Sequence, residues 1–278
     1  MSGGLGPVLR ARIGLRRPAI RQARIWYCPT VQRRVVLVTG GSRGIGAAVC
    51  RQAAAAGWSV CLTYRADADA ASAVAAEVEA AGGAARAVRA DMAAEADVVA
   101  AFEAAGTLGP LGGVVCNAGI VAPKARVDEL TAERVQHMLE VNVFGPIMCC
   151  REAVRRLSAA HGGSGGSIVL VSSAASRLGS AGEYVDYAAS KGAVDSLGLG
   201  LAREVGGEGI RVNVVRPGVV DTEIHASSGQ PGRAERQGAL TPLGRPGQAG
   251  EIAAAIVWLL SDAASYTTGA ILDVSGGR

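Results

Sequence analysis

The chain has 278 residues, 49% of them apolar, and a formal net charge of +4. That length and apolar content fit one large α/β domain with a sizeable core, and they exclude disorder across the whole chain. Aromatic residues at 4% argue against a nucleic-acid surface of stacking rings, and the 39 glycines, about twice the usual share of roughly 7%, lack the every-third spacing of collagen.

Residues 1–34 hold eight arginines and no Asp or Glu. The overall +4 less that +8 leaves −4 for residues 35–278, so the body is mildly acidic and nucleic acid is not an expected partner. Pro7, Pro18 and Pro29 interrupt any long helix in this leader, and it lacks the apolar stretch of about 7–15 residues of a secretory signal. It reads as an extension outside the fold; an Arg-rich transit peptide is the alternative, disfavoured because Ser2 is its single serine.

From Val35 the pattern becomes regular. Val35 to Thr39 reads as a buried strand ended by Gly40-Gly41, followed by a helix over 44–56 that Gly57 closes. Then come a strand from Trp58 to Thr63, a helix over 67–81, a strand from Ala84 to Ala90, a helix over 94–105 and a strand from Gly113 to Cys116. A long helical region over 131–160, with a break near Gly145-Pro146, leads to a strand from Ser167 to Val171 and a helix over about 188–205. A strand from Ile210 to Val215, a helix over 249–261 and a strand from Ala270 to Val274 complete the series. Short apolar strands alternating with helices predict a single-domain, doubly wound parallel sheet of about seven strands with helices on both faces, a Rossmann fold. Ligands then belong at the carboxyl ends of the strands. Residues 217–248, rich in Gly and Pro and without periodicity, are expected to form a lid on that side.

The six cysteines contain no CxxC, and His137, His161 and His225 lie far apart, so no metal site is expected. The cysteines read as reduced core residues, which with the lack of any run of roughly 18 apolar residues points to a cytoplasmic protein without a membrane partner.

After the first strand comes Thr39-Gly40-Gly41-Ser42-Arg43-Gly44-Ile45-Gly46, opening into a helix. Backbone N–H groups at a helix N-terminus attract a pyrophosphate, and glycine lets the chain approach it closely. Strand–turn–helix is the context such a motif requires. The second strand ends Leu62-Thr63-Tyr64-Arg65 with no carboxylate before Asp67, so Arg65 and Arg43 favour a ribose 2′-phosphate, hence NADP(H) over NAD(H), with NAD(H) use also admitted.

With the turn at 39–46, Asp91, Asn117-Ala118-Gly119, Asn142, Ser173, Tyr187-xxx-Lys191 and Pro217-Gly218 in this order, residues 35–278 resemble the short-chain dehydrogenases/reductases. The resemblance extends to 3-oxoacyl-carrier-protein reductases and glucose 1-dehydrogenase-like oxidoreductases. It implies a carbonyl–alcohol oxidoreductase in which Ser173, Tyr187, Lys191 and Asn142 are catalytic. It further implies that Gly40, Ser42, Arg43, Gly44, Ile45, Gly46, Tyr64, Arg65, Asp91, Met92, Asn117, Ala118, Gly119, Tyr187, Lys191, Pro217, Gly218, Val219 and Thr222 bind the cofactor. Of these, Asp91 with the Met92 backbone is assigned to the adenine, and Asn117-Ala118-Gly119 to the adenine-ribose side. Cys116 departs from the family's usual Asn there.

Tyr187 and Lys191, four apart on one helical face, suit an acid–base pair in which the ammonium lowers the phenol's pKa from about 10. Tyr184 has only Ala188 at that spacing. Ser172 and Ser173 both end the fifth strand, and Ser173 is preferred by its distance along the chain from Tyr187. The substrate is open between a sugar, polyol or small ketone and a 3-oxoacyl thioester. Glu223, His225, Gln230 and Arg233 suit the former, and an acyl carrier protein would dock on Arg151, Arg155 and Arg156. A catalytically silent dinucleotide sensor of the same fold is the alternative function. By resemblance the assembly is a homotetramer or homodimer.

Overall fold

The computed structural model describes residues 1–3, 33–222 and 232–278. The leader, apart from those few residues, and Glu223, His225 and Gln230 lie outside the described residues. Arg34, counted above with the leader, belongs with the sheet: its carbonyl accepts from Ser59 N at 3.0 Å, and its guanidinium lies over the Trp58 ring.

β1 (Val35–Val38) is apolar at every position because it is buried on both faces. Its side chains alternate: Val36 and Val38 pack on one side of the sheet, Val35 and Leu37 on the other. The same alternation runs through β2 (Ser59–Tyr64), where Val60 and Leu62 join the first cluster and Cys61 the second. β3 (Ala85–Arg89), β4 (Leu111–Cys116), β5 (Gly166–Val171) and β6 (Ile210–Pro217) follow, then the two-residue β7 (Val220–Asp221) and β8 (Gly247–Gln248), and finally β9 (Ile271–Val274). The main sheet has seven strands in the order β3-β2-β1-β4-β5-β6-β9, every pair parallel.

On the first face lie α1 (Gly44–Ala55), α2 (Ala68–Ala80) and a late helix over Ala249–Leu260, which give Val49, Val74, Ile252 and Ile256 to the core. Against the other face pack α3 (Glu95–Gly106) and, further along, helices over Gly145–Leu157 and Val185–Val205, with Phe102, Leu157 and Val194 among their buried side chains. Numbered in chain order these continue as α4 (Ala132–Leu139), α5 (Gly145–Leu157), α6 (Ala175–Leu178), α7 (Val185–Val205), α8 (Arg233–Gly238) and α9 (Ala249–Leu260). The sheet reverses direction of build between β1 and β4, and the crevice beyond their carboxyl ends is where this architecture takes a ligand.

The expected helix over 131–160 is two helices joined by a π turn, Glu140–Phe144, with Pro146 in the first turn of α5, where a missing N–H costs nothing. β6 runs two residues further than expected, to Pro217, and α7 starts three residues earlier, at Val185. The span 217–248 contains β7, α8 and β8, elements too short to leave a periodicity in the sequence. Among the described residues no helix is long and apolar enough to cross a membrane.

Candidate active site

The turn between β1 and α1 is held by groups that carry no reactive chemistry. Gly40 and Gly44 have φ of +64° and +54°, which side-chain-bearing residues rarely adopt. Asn117, just past β4, donates its amide to Thr39 O at 2.9 Å and Gly40 O at 3.0 Å, while Thr39 Oγ1 accepts from Asn117 N and Ala118 N, both at 3.0 Å. Thr63 Oγ1 takes Gly40 N at 3.1 Å. A Cβ on Gly46 would stand 2.2 Å from Gly40 O, so α1 can meet the turn this closely only with glycine there. Ser42 and the exposed Arg43 flank the start of α1, whose first turn has no acidic residue and no side-chain cap, leaving its N–H groups open to an anion. The Asn117 amide is therefore committed to the turn, and Thr39 and Thr63, absent from the expected set, complete the latch.

Ser173, Tyr187 and Lys191 line one cleft together with Ile45, Asn117 and Gly119, and Pro217, Gly218, Val219 and Thr222 enter it from the end of β6. Ser172 and Ser173 divide their work: the Ser172 hydroxyl is buried and donates to Lys191 O at 3.1 Å, whereas the Ser173 hydroxyl hydrogen-bonds Tyr187 and accepts from Ala175 N at 3.1 Å. Lys191 Nζ lies 5.7 Å from the centre of the Tyr187 ring and donates to Val171 O at 2.8 Å. Burial pushes the Lys191 ammonium down to about 8, opposed by the negative charge of Asp195 one turn along α7. Burial raises Tyr187 above its usual value, with the Ser173 hydrogen bond acting in the other direction.

Asn142 is fully buried in the π turn. Its Oδ1 accepts from Ile120 N at 2.8 Å, and its Nδ2 donates to Ile120 O at 2.9 Å and Ser190 Oγ at 3.1 Å. A Cβ on Gly119 would sit 3.2 Å from Asn142 Oδ1 and 3.4 Å from Lys191 Nζ, so Gly119 marks where these two groups converge.

The remaining expected cofactor residues lie at the carboxyl ends of β2, β3 and β4. Tyr64 ends β2 and packs against the core, and Arg65 beyond it is exposed, its Nε 3.9 Å from Asp91 Oδ2. Asp91 Oδ1 accepts from Ala93 N at 3.0 Å. The Met92 side chain is buried beside Cys149, and Ala118 packs on the same cluster. Asp67, the nearest carboxylate after β2, caps α2 by accepting from Ala70 N at 2.9 Å. Cys116 is buried against the thiols of Cys149 and Cys150 and held well above the ordinary thiol value: the Cys149 hydrogen bond and the Lys191 charge pull it down, and the Cys150 thiol and burial outweigh them. Arg151, Arg155 and Arg156 all reach the buried carboxylate of Glu152, and Arg151 also pairs with Glu95. Arg233 and Arg278 also line the cleft; no sequence motif singled out Arg278, which folding brings from the far end of the chain.

Comparison with known proteins is consistent in one direction. The family model described as Enoyl-(Acyl carrier protein) reductase matches residues 40–278. The "Uncharacterized oxidoreductase YgfF" of Escherichia coli (strain K12) is 53% identical over 245 residues, 88% of this chain and 99% of that protein. The cis-4-hydroxycyclohexanecarboxylate dehydrogenase of Sinomonas cyclohexanicum is 40% identical over 245 residues, 88% of this chain and 96% of its own length. A crystal structure of a short chain dehydrogenase from Burkholderia cenocepacia J2315 in complex with NADP matches with a TM-score of 0.81 and 35% identity, over 88% of this chain and 97% of that one.

Proposed function

This chain belongs to the short-chain dehydrogenases/reductases, NAD(P)-dependent oxidoreductases, and we propose that it interconverts a ketone and a secondary alcohol using NADP(H). The observation that carries the reading is the meeting of the Ser173 hydroxyl, the Tyr187 phenol and the Lys191 ammonium in one cleft beside the glycine turn. The residues fit a dinucleotide: open N–H groups at the start of α1 suit its pyrophosphate, and Pro217, Gly218, Val219 and Thr222 suit the nicotinamide end. A bound nicotinamide supplies or accepts the hydride.

The chain's own residues do the rest. Ser173 donates a hydrogen bond to the carbonyl oxygen, orienting it and stabilising the charge that develops there. Tyr187, kept protonated by its burial, gives its phenolic proton to that oxygen in the reducing direction. Lys191 holds positive charge near the phenolate so formed, and the π turn around Asn142 leaves the relay of a replacement proton to its backbone.

Arg65 and Arg43 support NADP(H) over NAD(H), because Asp67 is spent capping α2 and does not stand in for a ribose-binding acid. The substrate class on this reading is a ketone, sugar or polyol. The relative from Sinomonas is named for an alicyclic hydroxy acid. Val127 just before α4, Leu139 at its end, Phe144 in the π turn and Ile147 on α5 are exposed, which supports assembly as a homodimer or homotetramer. The free, buried Cys50, Cys61, Cys116, Cys149 and Cys150 suit the cytoplasm. A panel of ketones, sugars and acyl thioesters assayed with NADPH and with NADH tests the reading: ketone or sugar turnover with NADPH is expected, and lack of turnover with every pair contradicts it.

A further inference from the structure

Asp186 immediately precedes Tyr187 in the first turn of α7, with its side chain only 3% exposed. A buried carboxylate needs a counter-charge, and Arg134 of α4 supplies it. Its Nε donates to Asp186 Oδ2 at 2.8 Å and its Nη2 to Oδ1 at 3.2 Å, the paired geometry of a guanidinium on a carboxylate. The third nitrogen, Nη1, donates to Pro123 O at 2.6 Å. Burial pushes the Asp186 carboxyl up, but the Arg134 hydrogen bond and the N–H of Tyr187 outweigh it and hold the group below its usual range. One guanidinium thus joins three segments: α4, the stretch after β4, and the turn of α7 that presents Tyr187.

The stretch after β4 forms a wall of the cleft, which Val121 lines together with Ser173 and Tyr187. Its inner end is gripped by Asn142, whose amide takes both the N–H and the carbonyl of Ile120. Its outer end is gripped by Arg134 at Pro123 and by the Ala125 N–H, which donates to Glu183 O at 3.1 Å. Tyr187 is held in the same way from two sides. Asp186 takes its N–H, and its carbonyl accepts from Ser190 Oγ at 2.7 Å, which in turn accepts from Asn142 Nδ2 at 3.1 Å. A buried ion pair contributes little net stability over an apolar pair of the same size, whereas its directional bonds fix geometry.

We propose that Arg134 and Asp186 are positioning residues for the proton transfer: together they set the separation between the Ile120–Pro123 wall, against which the substrate lies, and the Tyr187 phenol. The proposal rests on the oxidoreductase reading above and adds to it two residues that touch neither substrate nor cofactor.

Two variants test it. Arg134→Lys keeps a charge for Asp186 but cannot hold the carboxylate with a fork and Pro123 at once, and Arg134→Met with Asp186→Asn leaves no buried charge unpaired. Each is assayed in H2O and in D2O with NADPH and the ketone or sugar that the wild-type chain turns over fastest, beside a fluorescence titration with NADPH. In both variants kcat is expected to fall at least about tenfold, while the KM for substrate and the NADPH affinity stay within about threefold. The solvent deuterium isotope effect on kcat is expected to rise above that of wild type, because a misplaced phenol makes proton transfer more rate-limiting. A pair that only stabilised the fold leaves that isotope effect unchanged. A smaller fall of kcat in either variant, or an unchanged isotope effect, overturns the proposal. So does weakened NADPH binding in either variant, which assigns the pair to holding the fold. A wild-type chain that turns over no ketone or sugar is a separate result and overturns the oxidoreductase reading itself.

Discussion

The Lys191 ammonium donates a 2.8 Å hydrogen bond to the carbonyl of Val171, the last residue of β5, and the strand end that holds it also delivers Ser173. Ser172 closes the other side by donating to the Lys191 carbonyl at 3.1 Å. The lysine is thus fixed from two directions, and it is buried as a charge.

That burial has a stability consequence. The folded pKa of Lys191 is about 8 against an ordinary 10.5, so between those values the unfolded chain holds more protons than the folded one. Stability contributed by this group therefore rises as pH climbs from about 8 to about 10.5, and below pH 8 the ammonium is a net cost. Lys191→Met is expected to gain up to about 3 kcal/mol at pH 7, less about 1 kcal/mol for the lost hydrogen bond, while turnover falls at least about 100-fold. Urea unfolding at pH 7 and pH 10 checks this: the variant's advantage should shrink at the higher pH, and a variant less stable than wild type at pH 7 contradicts the account.

Asp195 is a positioning residue for that charge. Its Oδ2 takes Arg216 Nη2 at 2.8 Å and Nε at 3.1 Å, and its buried Oδ1 has no hydrogen-bond partner among the described residues. Its negative charge raises the Lys191 pKa, so Asp195→Asn is expected to lower it and to move the alkaline fall of kcat/KM to lower pH by roughly half a unit or more. An alkaline limb that does not move, in a variant with wild-type melting behaviour, removes Asp195 from this role.

Cofactor choice is expected to follow Arg65 and Arg43. Each substitution by Ala should lower the kcat/KM ratio of NADPH to NADH by about tenfold, the loss of one charge-assisted contact to a phosphate. Steady-state assays with both cofactors read this directly. A ratio unchanged in the double variant assigns the preference elsewhere.

The π turn and the helices around it leave Phe144 and Ile147 exposed at 37% and 40%. If they form the contact between copies of this chain, Phe144→Asp with Ile147→Asp should dissociate the assembly to monomers in sedimentation velocity. A monomeric wild type, or an assembly indifferent to both charges, counts against the interface.

The sequence was most legible where one local rule governed the outcome. β1, β2 and the helices that follow them are apolar runs and Ala-rich segments punctuated by glycine, and the structure places them within a residue or two of expectation. The 217–248 span was not legible, because two-residue strands such as β7 and β8 are made by pairing across 27 residues, not by local pattern. The cleft shows the same division. Tyr187 and Lys191 are neighbours on one helix, so their spacing revealed them; Arg278 meets the cleft only through the fold, and the commitment of the Asn117 amide to Thr39 and Gly40 depends on how β4 lies beside β1. The phenol's raised pKa was also out of reach, since burial, which the fold alone supplies, is its largest cause.

The most direct measurement is turnover by Tyr187→Phe, a change that removes one hydroxyl and leaves the ring in place. The account predicts that ketone reduction falls by at least about 1,000-fold while NADPH binds within a few-fold of wild type, because the proton donor is lost and the dinucleotide's other contacts remain. Reduction at a rate near wild type by that variant would contradict the assignment of the proton to Tyr187.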